Sequence, residues 1–357
     1  MATKLVVPGQ RLYVFQIQQA RAVLPSGGPF GIKSPMTSFT NLCLVIQPTR
    51  LDPDDFGHIA RIVQSLDPSI LITILTPKDQ AANVKAERWN YKSVTIAIGP
   101  SGRFTPQRGP ILQNGPVPKL EQYSRFLAAG VATPRTARFE FGKRYLPEEW
   151  SEFVVLKPLP LAMTSKAGQS RLYRTRRLEQ LLPHTLPEGH FLRNGPGLVQ
   201  ELIDTGVYPS KFRVLSLFGD ALYSSITRSM APRVPLDASD EEIEASIIDA
   251  KNPLSKAADK DEKRTQLAAD PAVLAFAREV HGAFSRKPVL GIDILKRESD
   301  GKLFALEVNA GGNVWHLSSS KKKHRRRLGG KAAMVAQLDA WNVAARALIR
   351  IAREHAA

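Results

Sequence analysis

The chain has very little cysteine, because Cys43 is the only one among its 357 residues. A single thiol cannot form an internal disulfide, and its place in the apolar run 42–46 is typical of a buried strand. Long hydrophobic runs are missing too: no stretch approaches the ~20 apolar residues of a membrane span, and residues 1–10 hold only a short apolar patch. We therefore expect a cytoplasmic protein that is neither exported nor inserted into a membrane.

Two common phosphate-binding motifs are also absent. No G-x-G-x-x-G follows any of the predicted strands, and G-x-x-x-x-G-K-[ST] occurs nowhere in the sequence. These absences disfavour a Rossmann dinucleotide site and a P-loop. Zinc-finger spacing, aromatic RNA-binding motifs and a helix-turn-helix pattern are missing as well, which disfavours a nucleic-acid-binding protein.

Positive charge is in excess, with 50 Lys and Arg against 33 Asp and Glu and a formal net charge of +17. Such a field attracts nucleotides, acidic substrates or nucleic acid, and does not choose among them. Much of the excess lies in two runs, residues 171–177 (RLYRTRR) and 321–327 (KKKHRRR). Each run fits a solvated loop as well as it fits a binding surface.

The length exceeds what one hydrophobic core usually supports, so we expect two or three lobes. Compact apolar runs alternate with helical stretches over residues 41–98, which predicts a parallel α/β layer. A Gly- and Pro-rich passage then marks the first boundary. The predicted units are an N-terminal α/β domain (1–115), a central subdomain (116–197) and a C-terminal subdomain (198–357).

The second half reads as α+β, with antiparallel strand signals. Strands over 212–218 and 221–226 form a hairpin joined at Gly219-Asp220. A polar stretch over 239–263, helical at 240–248, is an exposed insertion or lid. One long helix over 331–354 closes the chain, with apolar residues three and four apart.

The most informative segment is a predicted hairpin over residues 291–309. Pairing Ile292 with Val308 and Ile294 with Leu306 places the apolar side chains on one face and leaves a three-residue turn. A two-residue turn would shift the register by one and break this pattern.

The same register gathers polar side chains on the other face of the hairpin. It sets Asp293 opposite Glu307, and Asn309 projects to the same side because side chains alternate with period two. Two carboxylates and an amide oxygen suit Mg²⁺, which prefers oxygen ligands. We expect both acids to face a solvent-accessible metal site; the alternative is a solvent-facing acidic strand.

This hairpin resembles the metal site of the ATP-grasp superfamily, which includes glutathione synthetase, D-alanine:D-alanine ligase and the ligases that add glutamate to protein tails. In those enzymes an Asp on one strand and a Glu-x-Asn on the next hold two Mg²⁺ ions, which matches Asp293, Glu307 and Asn309. The resemblance covers roughly residues 116–316. It implies an ATP-grasp fold that follows an N-terminal α/β domain.

Two upstream lysines strengthen the resemblance. Lys119 opens a predicted helix that leads to G-x-x-x-P-x-T at 130–136, and Lys157 lies in V-x-K-P at 155–158, as in family members. The resemblance implies that both bind nucleotide phosphates as point charges. The family's glycine-rich phosphate loop is replaced by 161–170 (LAMTSKAGQS), where Lys166 is the candidate to cover the phosphates and the loop the candidate lid.

The resemblance also assigns roles further along the chain. Gln200, Glu201 and Ile203 match the linker that contacts adenine. Arg213 and Arg228 resemble the basic residues that approach the γ-phosphate and the acyl intermediate, although a strand arginine can also simply pair with an acid.

The segment after the hairpin matches the family's substrate loops. His316 is a candidate substrate contact, with packing as the alternative. Lys321 and Arg325 belong to the second basic run, which we expect at the mouth of the site, where it would recruit an acidic substrate unless it is only a solvated loop.

The implied activity is that of an ATP- and Mg²⁺-dependent ligase, which activates a carboxylate as an acyl phosphate and joins it to an amine. The cofactors are ATP and two Mg²⁺ ions, with Mn²⁺ as a substitute, and the substrates are small-molecule or peptide carboxylates and amines, acidic ones included. The rival hypotheses are phosphoryl transfer without ligation on the same fold and, less favoured, a basic nucleic-acid-binding protein. Substrate identity and oligomeric state cannot be read from the residues.

Overall fold

A computed structural model describes residues 39–159, 170–245, 247–248, 263–311, 314–318 and 322–357. These residues form one parallel sheet of four strands and two antiparallel sheets of five strands each. The mixed α/β and α+β class predicted from the sequence is confirmed. No helix in these ranges, the 16-residue C-terminal one included, combines the length and apolarity needed to cross a membrane.

The strands are, in chain order, β1 (Thr40–Val45), β2 (Ile70–Leu75), β3 (Lys92–Ala97), β4 (Ile111–Gln113), β5 (Thr136–Arg138), β6 (Phe153–Pro158), β7 (Ser170–Arg174), β8 (Gly197–Glu201), β9 (Ser210–Leu217), β10 (Asp220–Ser229), β11 (Ile247–Ile248), β12 (Lys263–Leu267), β13 (Val289–Lys296) and β14 (Leu303–Asn309). The α-helices are α1 (Pro53–Leu66), α2 (Lys119–Ala128), α3 (Pro147–Trp150), α4 (Phe191–Asn194), α5 (Asp240–Ala245), α6 (Pro271–Gly282), α7 (Lys322–Arg327), α8 (Gly330–Leu338) and α9 (Ala340–His355). Short 3₁₀ turns lie at Ala81–Asn83, Ala86–Asn90 and Thr175–Gln180.

The parallel sheet has the order β2-β1-β3-β4, as the alternating pattern of residues 41–98 predicts. β1 is buried along its whole length, which explains its continuous apolar run. One face of the sheet packs against α1 and α9, and the other against Trp89 and Phe104. Cys43 lies on this second side, where burial raises the pKa of its thiol to about 12.

The predicted single helix over 331–354 is wrong. α8 ends at Leu338, and Asp339 takes a left-handed conformation (φ 53°) before α9 begins. The last turn of α8 is fixed to β10 just before this change of direction. Gln337 of α8 donates to the carbonyl of Ser224 in β10 (2.9 Å) and accepts from its amide (3.0 Å), and Met334 of α8 packs in the same core as α1 and α9.

The first antiparallel sheet has the order β12-β10-β9-β13-β14, and α2 and α6 cover one of its faces. The β9–β10 hairpin turns at Phe218-Gly219, one residue earlier than predicted, because Leu217 pairs with Asp220. Both turn residues have positive φ (48° and 91°), which suits a two-residue hairpin turn.

The β13–β14 register agrees with the prediction only in part. Ile292 pairs with Val308 and Asp293 with Glu307, as expected, but a bulge follows and Ile294 pairs with Ala305 instead of Leu306. The regular ladder ends at the pair Lys296–Leu303, so the connection between the strands is longer than the predicted three-residue turn.

The bulge has a tertiary cause. The Leu306 carbonyl accepts a hydrogen bond from the Tyr123 hydroxyl of α2 (3.1 Å). Ala305 and Val308 lie in the core under α2 and α6, so the two residues between them, Leu306 and Glu307, both lie outside it.

The second antiparallel sheet has the order β11-β7-β6-β8-β5. β8 begins at Gly197 and lies between β6 and β5. The predicted boundary at 197/198 would therefore separate β8 from the sheet to which it belongs. The predicted insertion helix (240–248) ends at Ala245 and is followed by β11, which pairs with β7; residues 249–262 lie outside the described ranges.

The first basic run is not a solvated loop. Its residues form β7 and the 3₁₀ turn after it, beside the acidic helix α5. Arg174 Nε lies 2.8 Å from Asp240 Oδ1, and Arg177 Nε donates to Glu244 Oε1 at 2.9 Å. The insertion therefore neutralises this run locally.

A buried carboxylate ties the loop 314–318 to α1. Asp55 is fully buried, accepts a hydrogen bond from the Trp315 indole at Oδ2 (3.0 Å) and forms an ion pair with Lys331. Beside it, the amide of Asp52 donates to Ser318 Oγ at 3.0 Å. Asp55 thereby joins the N-terminal sheet layer to the segment that follows β14.

We predict that Asp55→Ala lowers the free energy of unfolding by about 3 kcal/mol, because it leaves the Trp315 N–H and the Lys331 ammonium without their buried acceptor. Asp54→Ala, at the exposed neighbouring position, is the control and should cost less than about 1 kcal/mol. Urea unfolding of both variants tests this; equal losses would show that Asp55 is no anchor.

Candidate functional site

Charged side chains converge where α2 meets β14, between the two antiparallel sheets. The cations are Lys119 of α2, Lys157 of β6, and Lys211 and Arg213 of β9; the anions are Asp293 of β13 and Glu307 of β14. Four positive and two negative side chains leave a local excess of positive charge. Such a site is suited to a polyanion.

Asp293 is the most buried member, with no exposed surface, so the expectation that it faces solvent is wrong. Arg213 holds both its oxygens in a bidentate pair, Nε to Oδ1 and Nη2 to Oδ2, each at 2.6 Å, and Lys211 Nζ lies 2.9 Å from Oδ2. Burial acts to raise the pKa of Asp293, but these two cations outweigh it and hold the pKa well below its usual range. The carboxylate is therefore ionised at neutral pH.

Glu307 is more accessible, with 28% of its side chain exposed. Its carboxylate lies 3.3 Å from Lys119 Nζ at the first residue of α2. Burial acts to raise the pKa of Glu307 and so does the charge of Asp293, yet Lys119, helped by Lys211 and Arg213, lowers it overall. Glu307 is thus a second ionised carboxylate beside the first.

Lys157 lies at the end of β6 and donates a hydrogen bond to Gln200 Oε1. Desolvation, together with the nearby cations Lys119 and Lys211, lowers the pKa of Lys157 to about 7, and only Glu307 opposes them. At neutral pH this ammonium is close to losing its proton. An anionic ligand would hold the proton in place.

A buried amide orients Lys157. Gln200 is 2% exposed and donates both its N–H groups, to the Tyr123 hydroxyl (2.7 Å) and to Thr136 Oγ1 (2.9 Å), which leaves its oxygen toward the lysine. Because Tyr123 also bonds the Leu306 carbonyl, this chain of contacts connects β8, α2 and β14. Gln200 thus positions Lys157, and its amide groups are all engaged within the protein.

The other predicted nucleotide contacts lie next to this network. Glu201 Oε2 accepts from the Arg135 amide at 3.1 Å, and Ile203 is buried just after β8. Asn309 is exposed at the end of β14, on the face of Asp293 and Glu307, with Nδ2 3.4 Å from the Gly291 carbonyl.

The structure does not bring Arg228 to the site. It is exposed near the end of β10 and pairs with Ser210. By strand alternation it shares the sheet face of Phe212 and Ile226, which pack on the α6 side, opposite to Arg213.

The predicted substrate contact His316 lies beside Tyr223 of β10 and the short helix α7. His316 is 4% exposed, and its Nδ1 is 2.6 Å from the hydroxyl of Tyr223, which is close enough to Arg213 for that charge to act on the tyrosine pKa. The His316 ring also lies 5.6 Å from that of His324 in α7. Arg325 is half-buried in α7. Lys166, with most of the predicted lid, and Lys321 lie outside the described residues.

Sequence reasoning missed Lys211, Tyr123, Thr136 and Tyr223. Lys211 lies two positions before Arg213 and shares its face on β9, but the predicted strand begins at residue 212 and so leaves Lys211 out. The tyrosines had no comparable signal, because their roles depend on contacts far along the chain, with Leu306 and His316.

The donor set fits a hard divalent cation. Asp293 and Glu307 are ionised neighbours on paired strands, and all ligands available there, Asn309 included, are oxygens. Within the described ranges no three or more His, Cys, Asp or Glu side chains form a metal-holding group. Two carboxylates alone suit Mg²⁺ that takes its remaining ligands from water and phosphates.

Neither a protein-family model nor a curated protein sequence matches the chain. Solved structures do. D-cycloserine synthetase DcsG has 13% identity over 87% of this chain and 99% of its own, with a TM-score of 0.40. D-alanine–D-alanine ligase from Bacillus anthracis has 12% identity over 88% and 99%, with a TM-score of 0.41. ATP-grasp ligase PsnB, complexed with a phosphomimetic variant of its minimal precursor, Mg and ADP, has 14% identity over 87% and 98%, with a TM-score of 0.44.

One of these proteins is described as an ATP-grasp ligase and another as a D-alanine–D-alanine ligase. Their overlap with this chain is loose, so no residue role is carried across from them.

We predict that polyphosphate binding weakens as pH rises above about 7, because Lys157 must be protonated to pair with the anion. Loss of a proton from the ligand in this range would add negative charge and strengthen binding, so the ligand's own titration cannot cause this fall. Calorimetry with tripolyphosphate between pH 7 and 9, in buffers of different ionisation enthalpy, should show proton uptake on binding. Lys157→Met should bind weakly without proton uptake; unchanged uptake in this variant would assign the proton elsewhere.

Proposed function

We propose that the protein is an ATP- and Mg²⁺-dependent ligase of the ATP-grasp type, which activates a carboxylate as an acyl phosphate and joins it to an amine. The observation that carries the proposal is the convergence of Lys119, Lys157 and Arg213 on the paired carboxylates Asp293 and Glu307. Phosphoryl chemistry needs such positioning and charge stabilisation more than it needs covalent catalysis.

The charged residues of the site have separate roles in the proposed reaction. Lys119 and Lys157 hold the nucleotide phosphates, and Arg213 offsets the negative charge that develops when the substrate carboxylate attacks the γ-phosphorus in line. Asp293 and Glu307, with Asn309, would hold one or two Mg²⁺ ions, which supply charge neutralisation between the phosphates when bound.

The adenine would lie along the linker after β8, beside Glu201 and Ile203. Gln200 is assigned to Lys157 instead of the base, because its amide is already satisfied. The nucleotide then lies between the central and C-terminal units of the predicted three-part division, whereas Arg228, on the opposite sheet face, has no task in the reaction.

Ligation is favoured over simple phosphoryl transfer by the motif order Lys119, Lys157, Asp293 and Glu307-x-Asn309, which resembles carboxylate–amine ligases. An acyl phosphate must meet its amine before water does, so the acceptor flank near His316 must exclude solvent. A screen of ADP release across carboxylate and amine pairs, with mass spectrometry of the products, tests the proposal. A condensed product supports a ligase, whereas a phosphorylated product alone supports a phosphotransferase.

We predict that Glu307→Gln lowers Mg²⁺-dependent ADP release on the order of 100-fold or more, with little effect on stability, because the side chain is partly exposed. Asp300→Asn, at the turn of the same hairpin, should retain activity. Asp293→Asn should abolish turnover and also lower the free energy of unfolding, since it leaves two cations beside a neutral buried group. Wild-type rates in Glu307→Gln would remove the metal assignment.

Lys157→Ala should weaken ATP binding, and Lys119→Ala should do so to a lesser extent, because each loses a phosphate contact. The matched control is Lys302→Ala, an exposed lysine on the β13–β14 turn, which should bind as the wild type does. Calorimetric titration with ATP and Mg²⁺ measures all four proteins. Unchanged affinity in both site variants would take the lysines out of the site.

A further inference from the structure

Two kinds of cation would compete for the Asp293 carboxylate: the side chains that already pair with it and the proposed Mg²⁺ ion. The Oδ2 atom of Asp293 already receives Lys211 Nζ at 2.9 Å and Arg213 Nη2 at 2.6 Å, and Oδ1 receives Arg213 Nε at 2.6 Å. A Mg²⁺ ion on the same carboxylate would sit roughly 2.1 Å from an oxygen. The ion and the ammonium would then be close like charges, which repel strongly at a site shielded from water.

Lys211 is the cation that can leave. Its side chain is 40% exposed, compared with 22% for Arg213, and it makes one contact with Asp293 where Arg213 makes two. Removing Lys211 therefore leaves the buried carboxylate with its bidentate partner. Removing Arg213 would leave it with a single flexible one.

The nucleotide phosphates would offer Lys211 a second anionic partner. Lys211 lies near enough to Lys157 for its charge to lower the pKa of that lysine, so it borders the proposed phosphate position as well as Asp293. A polyphosphate placed among the lysines would attract Lys211 away from the carboxylate, and the ammonium would exchange one anion for another at little cost.

We propose that Lys211 is a charge-exchange residue: it pairs with Asp293 in the protein alone and moves to the phosphates when nucleotide binds, so that divalent metal gains Asp293 only together with nucleotide. The inference rests on the proposed function. It makes nucleotide and metal binding mutually reinforcing, and the coupling must be reciprocal.

The test compares wild type with Lys211→Met, which keeps the length of the side chain and loses its charge, and with Lys211→Arg, which keeps the charge. Mn²⁺ binding to each protein alone is followed by electron paramagnetic resonance of the free ion. ADP binding is measured separately by calorimetry, once in EDTA and once in saturating Mn²⁺. Lys302→Gln is the matched control, and thermal unfolding followed by circular dichroism verifies the fold.

Wild type should bind Mn²⁺ weakly by itself and bind ADP much more tightly with Mn²⁺ than in EDTA. Lys211→Met should bind Mn²⁺ alone on the order of tenfold more tightly, yet bind ADP in EDTA more weakly. Lys211→Arg and Lys302→Gln should behave as wild type. Opposite signs for metal and nucleotide exclude general damage to the site, which would weaken both.

An unchanged or lower affinity of Lys211→Met for Mn²⁺ alone would overturn the inference, and so would wild-type ADP affinity that is independent of metal. Both outcomes leave nucleotide binding intact and so leave the proposed function standing. Failure of the wild type to bind ADP in either condition would instead remove the proposed function itself.

Discussion

The edge strand β14 sets the constraint from which the site follows. An edge strand presents backbone N–H and C=O groups that need partners, and here the α2 region supplies them: Gln122 Oε1 accepts from the Val308 amide at 2.9 Å, the Ala305 amide donates to the Ala132 carbonyl at 2.8 Å, and Thr133 Oγ1 donates to the Ala305 carbonyl at 2.9 Å. Gly130, with φ +68°, ends α2 and lets the chain turn back along the strand. Satisfying one strand edge thereby brings Lys119 and Tyr123 to Glu307.

Charge compensation then determines which side chains can lie together at this site. An unpaired carboxylate at the depth of Asp293 would cost several kcal/mol, so β9 must offer cations on the facing positions. The result is a site in which each anion is already compensated and one or more cations are left over. A ligand of the opposite sign is attracted without any carboxylate having to change its ionisation.

Much of this arrangement could be predicted from local pattern. Strand alternation was sufficient to set Asp293 opposite Glu307, and the helix that begins at Lys119 has its predicted start. The rest depends on contacts between distant residues. The bulge at Leu306 needs the Tyr123 hydroxyl, the break at Asp339 follows a Gln337 side chain bound to the distant Ser224 backbone, and the pairing of the first basic run needs a helix some sixty residues away. Periodicity carries no information about such distant partners. Lys211 was missed for a different reason, because the predicted strand begins at residue 212 whereas β9 begins at Ser210.

Cys43 has a consequence for experiment. Its thiol is buried in the parallel sheet and stays protonated at neutral pH, since its pKa is about 12, so it is a poor nucleophile toward alkylating reagents. The unmodified chain thus contributes no reactive thiol to a labelling experiment. A cysteine introduced at an exposed position such as Val207 (57% exposed) would be the single reactive thiol, and a fluorophore there would report on movement of the segment between β8 and β9 in the folded protein.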